Sequence, residues 1–284
     1  MKKVLLGILA LLLCVSCSNR KNSLYYDNLK GKVKTLKSVT YEAKYKFGEV
    51  EKGEIVSELW EHPLGRYSYG NIGLFIKHYD KKGNLELSER FDTELELESK
   101  TEYFWEKGWI MGYKTRYEDG AIEEWSCKRN KRYGEIIEET LSSEWLDYKT
   151  VRTIREDDAE MTDWVRDNEY HDEFLEGRPQ QEKGSYKTIR KKGEVLQRIY
   201  YNEAGEETST VTYGERERIM TVQNDDGSSV TFEYNDLGDV VKMVDSGEEY
   251  AFEYEYDKHD NWIKRITYKG DTPLYIEERE IEYY

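Results

Sequence analysis

Apolar and polar residues alternate along much of the chain, which is the pattern of a β-strand with two different faces. In the segment YAFEYEYD, Tyr250, Phe252, Tyr254 and Tyr256 share one face, and acidic residues share the other. The next segment, NWIKRITYK, also alternates, and we expect Arg265 to face a carboxylate of the preceding strand. The pattern predicts antiparallel strands with one aromatic face and one charged face.

A recurring turn separates these segments. Its sequence is Tyr, then Asp or Asn, two variable residues, Gly or Asp, and a polar residue. The turn residues are Tyr79, Asp80 and Gly83; Tyr201, Asn202 and Gly205; Tyr234, Asn235 and Gly238; and Tyr256, Asp257 and Asp260. An Asp or Asn side chain bonds the backbone of such a turn, and Gly adopts the positive φ angle that the turn requires.

The last three copies of this turn begin 33 and 22 residues apart, and both spacings are multiples of 11. A fixed period indicates a repeated unit, and about 22 residues fit one hairpin of two strands and two turns. The chain is therefore predicted to be all-β, an antiparallel meander of repeated hairpins that forms a curled sheet or a sandwich.

Residues 155–178 fit two kinds of element. Met161, Trp164 and Val165 fit one face of a helix, whereas Asp157-Asp158-Ala159-Glu160 fits a turn that leads into the strand MTDWVR. The neighbouring segments on both sides are strand-like, and they favour the strand.

The N-terminus predicts export from the cytoplasm. Two lysines precede an apolar run from Val4 to Leu13, which is typical of a secretory signal and too short for a membrane-spanning helix. The following Cys14-Val15-Ser16-Cys17 resembles the lipobox of bacterial lipoproteins, with Cys14 where Leu is more usual. The resemblance implies cleavage after Ser16 and a lipid on Cys17, which anchors the chain in a membrane.

These boundaries divide the chain into a signal peptide (1–16), a lipidated Cys and tether (17–28), and one β-repeat domain (29–284). The residues after Cys17 are SNRKNS, without an acidic residue directly after the Cys. In lipoprotein families this composition favours the periplasmic face of the outer membrane over inner-membrane retention or export to the cell surface.

The recurring turn resembles the YD repeats of the RHS family, most clearly over residues 75–90 and 196–270. The resemblance implies a β-strand fold and no particular activity. RHS proteins form large shells that enclose a cargo, whereas this chain has room for only about 20 strands of average length. A complete shell of that kind is therefore not expected.

Composition and net charge exclude two further classes of protein, disordered chains and nucleic-acid-binding proteins. The 284 residues include 25 Tyr and 7 Trp, too many aromatic residues for a disordered chain. The formal net charge of −16 disfavours nucleic acid, because phosphate contacts need clustered Lys and Arg. No nucleic-acid partner is expected.

The sequence offers few candidates for chemistry. It contains no zinc-protease motif, no serine-hydrolase elbow and no phosphate-binding glycine loop, so we expect no cofactor, no metal and no catalytic residue. The turn Asn224-Asp225-Asp226-Gly227 would offer oxygen ligands to Ca²⁺, but Asp-Gly is also an ordinary hairpin signal. Cys127 is expected to be a small strand residue, with a reactive thiol as the alternative.

Trp105 and Trp109 flank a Gly-containing turn and are the candidate ligand-binding residues, because flat aromatic rings suit contact with sugars. The alternative is that the tryptophans line the buried face of the sheet. The leading hypothesis is a non-enzymatic envelope lipoprotein that binds or scaffolds an envelope protein or a polysaccharide. The alternatives are a saccharide-binding module, a glycan-acting enzyme with paired carboxylates, and a toxin-immunity type of partner.

Overall fold

The computed structural model describes residues 22–56, 63–64, 73–129, 136–144, 146–156, 160–170, 181–191, 194–215 and 218–284. The predicted signal peptide and the predicted lipidation site Cys17 lie outside the described residues.

The described residues form 19 strands and one short helix. The helix α1 is Ser23–Tyr26. The strands are β1 (Val33–Lys46), β2 (Glu49–Ile55), β3 (Leu74–Tyr79), β4 (Leu85–Phe91), β5 (Leu97–Glu106), β6 (Trp109–Tyr117), β7 (Ile122–Arg129), β8 (Ile136–Ser142), β9 (Leu146–Glu156), β10 (Glu160–Tyr170), β11 (Gln181–Lys191), β12 (Glu194–Tyr201), β13 (Glu207–Tyr213), β14 (Ile219–Asn224), β15 (Ser229–Tyr234), β16 (Val240–Asp245), β17 (Glu248–Tyr256), β18 (Trp262–Lys269) and β19 (Thr272–Tyr283).

The strands close into an antiparallel β-barrel. Strands β3 to β19 are neighbours in chain order, and β1 joins the two ends of this series. Ser38 of β1 pairs with Arg279 of β19 on one side and with Phe75 of β3 on the other. Strand β2 extends β1 as a hairpin outside the ring, so the ring contains 18 strands.

The prediction of an all-β antiparallel chain agrees with this fold, but the prediction of a curled sheet or a sandwich is wrong. Alternation and turns are local signals, whereas closure depends on the contact between the first and last strands. Pairing of β1 with β19 satisfies the backbone groups that two open sheet edges would leave unpaired.

The segment that fitted either a helix or a strand is a strand in its described part. Strand β10 covers Glu160–Tyr170 and pairs with β9 on one side and β11 on the other. Because β10 is paired along its length with a strand on each side, its backbone N–H and C=O groups are hydrogen-bonded in both directions. This pairing outweighs the weak helical pattern of the apolar residues.

The outer face of the barrel is charged. Lys128 lies 2.7 Å from Glu138, and Lys264 lies 2.9 Å from Glu255, in each case across two neighbouring strands. Further pairs on this face are Lys114–Glu124, Arg116–Glu102, Lys242–Glu249 and Lys52–Glu278. These ion pairs give the described outer face a charged character.

The inner face carries aromatic, apolar and charged side chains together. Residues opposed in register share a face, so this face can be followed from strand to strand around the ring. The carboxylate opposite Arg265 belongs to Glu277 of the following strand β19, not to the preceding strand β17 as expected. The division into one aromatic and one charged face holds for β17 but fails for β18 and β19.

Apolar packing concentrates on one half of the barrel, along β1, β3 and β15 to β17. Two clusters of buried side chains lie there. The first contains Leu24, Leu29, Val33, Leu36, Phe75, Tyr79 and Leu85. The second contains Leu64, Val230, Phe232, Met243 and Phe252. Burial of each large apolar side chain contributes about 1.5–3 kcal/mol, so this half forms the main core.

Candidate functional site

The predicted repeat residues form closely similar turns. The backbone N–H of Asp80 donates to the carbonyl of Asn84 at 2.9 Å, and the N–H of Gly83 donates to the carbonyl of Asp80 at 2.9 Å. The Asp80 carboxylate accepts the backbone N–H groups of Lys82 and Asn84. The same two backbone bonds close the turns that begin at Asn202, Asn235 and Asp257. Tyr79, Tyr201, Tyr234 and Tyr256 end the strands that precede these turns.

Sequence reasoning missed a further copy of this turn between β4 and β5. Asp92 accepts the backbone N–H groups of Glu94 and Glu96, and its own N–H donates to the Glu96 carbonyl. Leu95 stands where the other turns have Gly or Asp. The sequence pattern that could have revealed this turn is the aromatic-Asp pair Phe91-Asp92. It was overlooked because Leu stands where the repeat normally has Gly.

Three of the turns hold the N-terminal segment against the barrel. We call residues 22–31 the cap segment, and the barrel end that they cross the capped end. The N–H of Leu24 donates to the Gly83 carbonyl at 3.2 Å. Asn28 Nδ2 donates to Asp239 Oδ1 at 2.8 Å. The N–H of Lys30 donates to Asn261 Oδ1 at 2.7 Å. Residues 22–28, which the sequence assigned to the tether, therefore pack on the domain.

Asp27 of the cap segment reaches two side chains of β3. Its Oδ1 lies 3.0 Å from Lys77 Nζ, and its Oδ2 accepts the Tyr79 hydroxyl at 2.7 Å. Burial raises the pKa of the Tyr79 hydroxyl well above its usual value, and the negative charge of Asp27 raises this pKa further. The cap segment is thus joined to the core by an ion pair and a hydrogen bond that are both shielded from water.

The half of the inner wall formed by β6 to β12 has a polar network instead of an apolar core. Glu139 is buried and accepts a hydrogen bond from Arg152 Nη2 at 2.7 Å. Arg166 Nε donates to Thr150 Oγ1 at 2.9 Å, and its guanidinium lies 4.4 Å from the Tyr148 ring centre. The network fixes two guanidinium groups on a wall that faces the barrel interior.

Aromatic rings lie beside this network on the same wall. Tyr113 stacks on Trp125 with 5.6 Å between ring centres, and its hydroxyl donates to Glu123 at 3.0 Å. Burial raises the pKa of the Tyr113 hydroxyl, and the charge of Glu123 adds to the shift. Trp164 lies against Gly184, where an added Cβ would come within 2.9 Å of the indole. The wall thus combines flat apolar faces with charged and hydroxyl groups.

Several buried polar atoms on the inner wall have no hydrogen-bond partner among the described residues. They are Ser38 Oγ, Arg152 Nη1, Thr162 Oγ1, Thr188 Oγ1 and Arg279 Nε. Buried polar groups are normally paired with protein or water, because an unpaired group costs about 1–3 kcal/mol. Within the described residues, these atoms are hydrogen-bonding groups of the inner wall that the protein itself does not pair.

The two predicted ligand-binding residues do not form a shared platform of free rings. Trp105 donates its indole N–H to the Leu85 carbonyl at 2.7 Å and packs against the first apolar cluster. Trp109 is 39% exposed, and the Arg129 guanidinium lies 5.3 Å from its ring centre. Of these two residues, Trp109 is the one that remains accessible.

The other candidates for chemistry have structural positions. The Cys127 thiol is buried on the inner wall, and burial raises its pKa, which disfavours the reactive thiolate. Asn224 to Ser228 form a hairpin turn closed by backbone bonds. Within the described ranges, no group of His, Cys, Asp and Glu side chains has the arrangement of a metal site. No helix in those ranges is long and apolar enough to cross a membrane.

No protein-family model and no curated protein matches the chain. Among solved structures, a porin-like protein from Bacteroides uniformis has a TM-score of 0.37 and 6% identity, over 89% of this chain and 98% of that chain. The TcdB2-TccC3-Cdc42 structure has a TM-score of 0.30 and 9% identity, over 88% of this chain and 17% of that chain. The Photorhabdus luminescens Tc holotoxin pore has a TM-score of 0.23 and 10% identity, over 68% of this chain and 14% of that chain. These scores are too low to carry a conclusion about function, and the resemblance to YD repeats remains a prediction.

Proposed function

We propose that this protein is a lipid-anchored envelope protein with a non-enzymatic binding role, and that its ligand lies against the inner wall of the barrel. The observation that carries the proposal is the position on that wall of polar atoms, such as Arg152 Nη1 and Thr162 Oγ1, that have no hydrogen-bond partner among the described residues. A hydrophilic ligand would supply the hydrogen bonds that these atoms lack.

The charged outer face supports an anchor made of lipid. Ion pairs such as Lys128–Glu138 would lose their hydration in a bilayer, so strands with this face do not insert. Acyl chains on Cys17 would hold the barrel at the membrane instead, in our proposal at the periplasmic face of the outer membrane.

The anchor is tested by the substitution Cys17→Ser in a strain that exports the full chain. We expect the variant to move from the membrane fraction to the aqueous periplasmic fraction while keeping its β-sheet circular dichroism. A folded variant that stays in the membrane and needs detergent for extraction would contradict the lipid anchor.

The binding role is tested by retention of envelope components on the mature chain, residues 18–284, immobilised through its N-terminus. Arg152→Gln and Thr162→Val change the inner wall, and Lys128→Gln changes the outer face as a matched control. Loss of one hydrogen bond to a charged group corresponds to about a tenfold loss of affinity. We expect that loss in the inner-wall variants alone. Equal retention by all variants would refute an inner-wall site.

A saccharide is the second candidate for the ligand, and the stacked pair Tyr113–Trp125 beside Glu123 favours it. Aromatic faces next to carboxylates suit the apolar faces and hydroxyl groups of sugars. Trp125→Leu should reduce retention of envelope polysaccharide, whereas Trp109→Leu should not. If Trp109→Leu reduced retention and Trp125→Leu did not, the binding site would be at Trp109, which the sequence alone had suggested.

A further inference from the structure

Arg279 of β19 is a buried cation without a bonded counter-ion among the described residues. Its side chain is nine-tenths buried, with 9% of the residue exposed, and it lies on the inner wall where β19 meets β1. The guanidinium lies 3.3 Å from the centre of the Trp262 ring. Its Nε–H has no hydrogen-bond acceptor in the part of the chain that the structure describes. An isolated buried charge is costly unless an opposite charge or hydrogen bonds compensate it.

The neighbouring carboxylates Glu277 and Asp27 compensate the charge of Arg279 only in part, because each is hydrogen-bonded to another cation. Arg265 pairs with Glu277 through two hydrogen bonds, and Lys77 pairs with Asp27. This described cluster has three cations, Arg265, Lys77 and Arg279. It has two carboxylates, Glu277 and Asp27, so one positive charge is in excess. Burial lowers the pKa of Arg279 to about 10, and the nearby charge of Arg265 contributes to the shift.

Ser38 supplies a second unused hydrogen-bonding group at the same place. It is the residue directly opposite Arg279 in the pairing of β1 with β19, so the two side chains share the inner face. Ser38 is fully buried, and no described residue forms a hydrogen bond with its Oγ. A guanidinium N–H and a hydroxyl can both donate to one bound anion.

We propose that Arg279 and Ser38 form an anion subsite that takes a small oxyanion, such as inorganic phosphate or a carboxylate. Arginine suits this class of ligand because its planar group presents N–H donors that match two oxygen atoms. The anion would neutralise the excess charge of the cluster and satisfy both donors. The subsite lies at the seam of the barrel, away from Arg152 and Thr162, and does not depend on the binding role proposed above.

The test is thermal unfolding of the mature chain in phosphate, acetate or chloride at constant ionic strength. Binding to the folded state raises Tm in a saturable way, by roughly 5 °C when the anion is at about 100 times its Kd. We expect this rise with phosphate or acetate relative to chloride. Arg279→Met should abolish the response, and its Tm in chloride should equal or exceed that of the natural chain, because a buried unpaired charge is removed.

Two further variants separate the subsite from general salt effects. Ser38→Ala should retain the fold and shift the half-saturating concentration about tenfold higher, as expected for one lost hydrogen bond to a charged ligand. Lys264→Met, on the outer face of β18, should respond like the natural chain. An equal response to all three salts, or a full response in Arg279→Met, would overturn the proposal. If Arg279→Met does not fold, absence of phosphate uptake by the natural chain in equilibrium dialysis would overturn it.

Discussion

The fourth residue of each five-residue turn has a positive φ angle. Gly83, Gly205 and Gly238 adopt values between +82° and +89°, where the absence of a Cβ removes the steric conflict. Asp260 occupies this position at +60°, and Leu95 occupies it at +69°. Asp tolerates the left-handed region better than most residues, whereas Leu does not. Leu95 is therefore the strained member of the set.

Leu95→Gly should stabilise the protein by about 0.5–1 kcal/mol. Relief of the left-handed strain is worth about 1–2 kcal/mol, and the greater chain entropy of Gly in the unfolded state offsets part of it. Urea unfolding measures the change. Leu97→Gly, two residues away in β5, has no such strain to relieve and should cost about 0.5–1 kcal/mol. The same sign in both variants would contradict the strain argument.

Substitutions at two glycines distinguish the stability cost of backbone strain from the cost of disturbing the cap segment. Gly205→Ala meets no atom of the described residues within 4 Å and should cost only about 1 kcal/mol for its φ of +82°. Gly83→Ala has the same φ cost, and its Cβ would also come within 2.4 Å of Asn22 Nδ2 and 2.8 Å of Leu24. Because the side chains of Asn22 and Leu24 must then move, we expect a larger loss, of about 2 kcal/mol in all, by urea unfolding. Equal losses would show that the cap does not pack there.

At the scale of elements, the cap segment connects turns that are far apart in the sequence. It contacts the turns after β3, β15 and β17, which all lie at the capped end because these strands run in the same direction around an up-and-down barrel. Leu24 and Leu29 contribute to the first apolar cluster from this segment. The three repeat turns at the capped end thus serve as a docking surface for the N-terminal part of the chain.

Asp27→Ala should destabilise the protein by about 3 kcal/mol. The change removes a shielded carboxylate and leaves the buried Lys77 ammonium and Tyr79 hydroxyl without this acceptor, which is far costlier than loss of an exposed pair. Denaturant unfolding at neutral pH measures it. The control is Glu280→Ala, which removes an exposed pair with Lys37 at 3.9 Å and should change stability by less than about 0.5 kcal/mol. Similar effects in the two variants would argue against an anchoring role for Asp27.

At the scale of the whole molecule, the fold partly shields several tyrosine hydroxyl groups from water. Burial is the largest cause that raises the pKa of the hydroxyl groups of Tyr213, Tyr234, Tyr256 and Tyr283 to about 12, from an ordinary value of 10.0. The folded state therefore favours the protonated phenols, and the unfolded chain releases their protons at lower pH. By linkage, their stabilising contribution is complete below about pH 10 and is lost as the pH rises to about 12.

We accordingly expect unfolding in alkali instead of a gradual titration. Tyrosinate absorbance should rise cooperatively between about pH 10 and 12, together with the loss of the β-sheet circular dichroism signal. Tyr234→Phe should shift the midpoint of this transition upward, because one buried phenol no longer needs to ionise. Titration of these tyrosines near pH 10 with the fold intact would contradict their burial.

The sequence by itself determined the strands and most of the turns, because both are local. Two-residue alternation sets which side chains share a face, and the Asp-x-x-Gly pattern sets the backbone of a turn within five residues. The sequence has room for about 20 strands of average length, and the described residues form 19. The turn at Asp92 was missed because Leu95 lacks the glycine signal, even though the backbone there is the same.

Only the tertiary structure decided the closure, the position of the cap segment and the buried polar groups. Each depends on residues that meet from distant parts of the chain, such as Asn28 with Asp239, or Tyr284 with the carbonyl of Tyr79. No local pattern encodes which edge strands pair, and Arg279 has the same period-two spacing as an exposed arginine. Whether its face lies inside or outside is decided when β1 joins β19 and β3 and the sheet becomes a barrel.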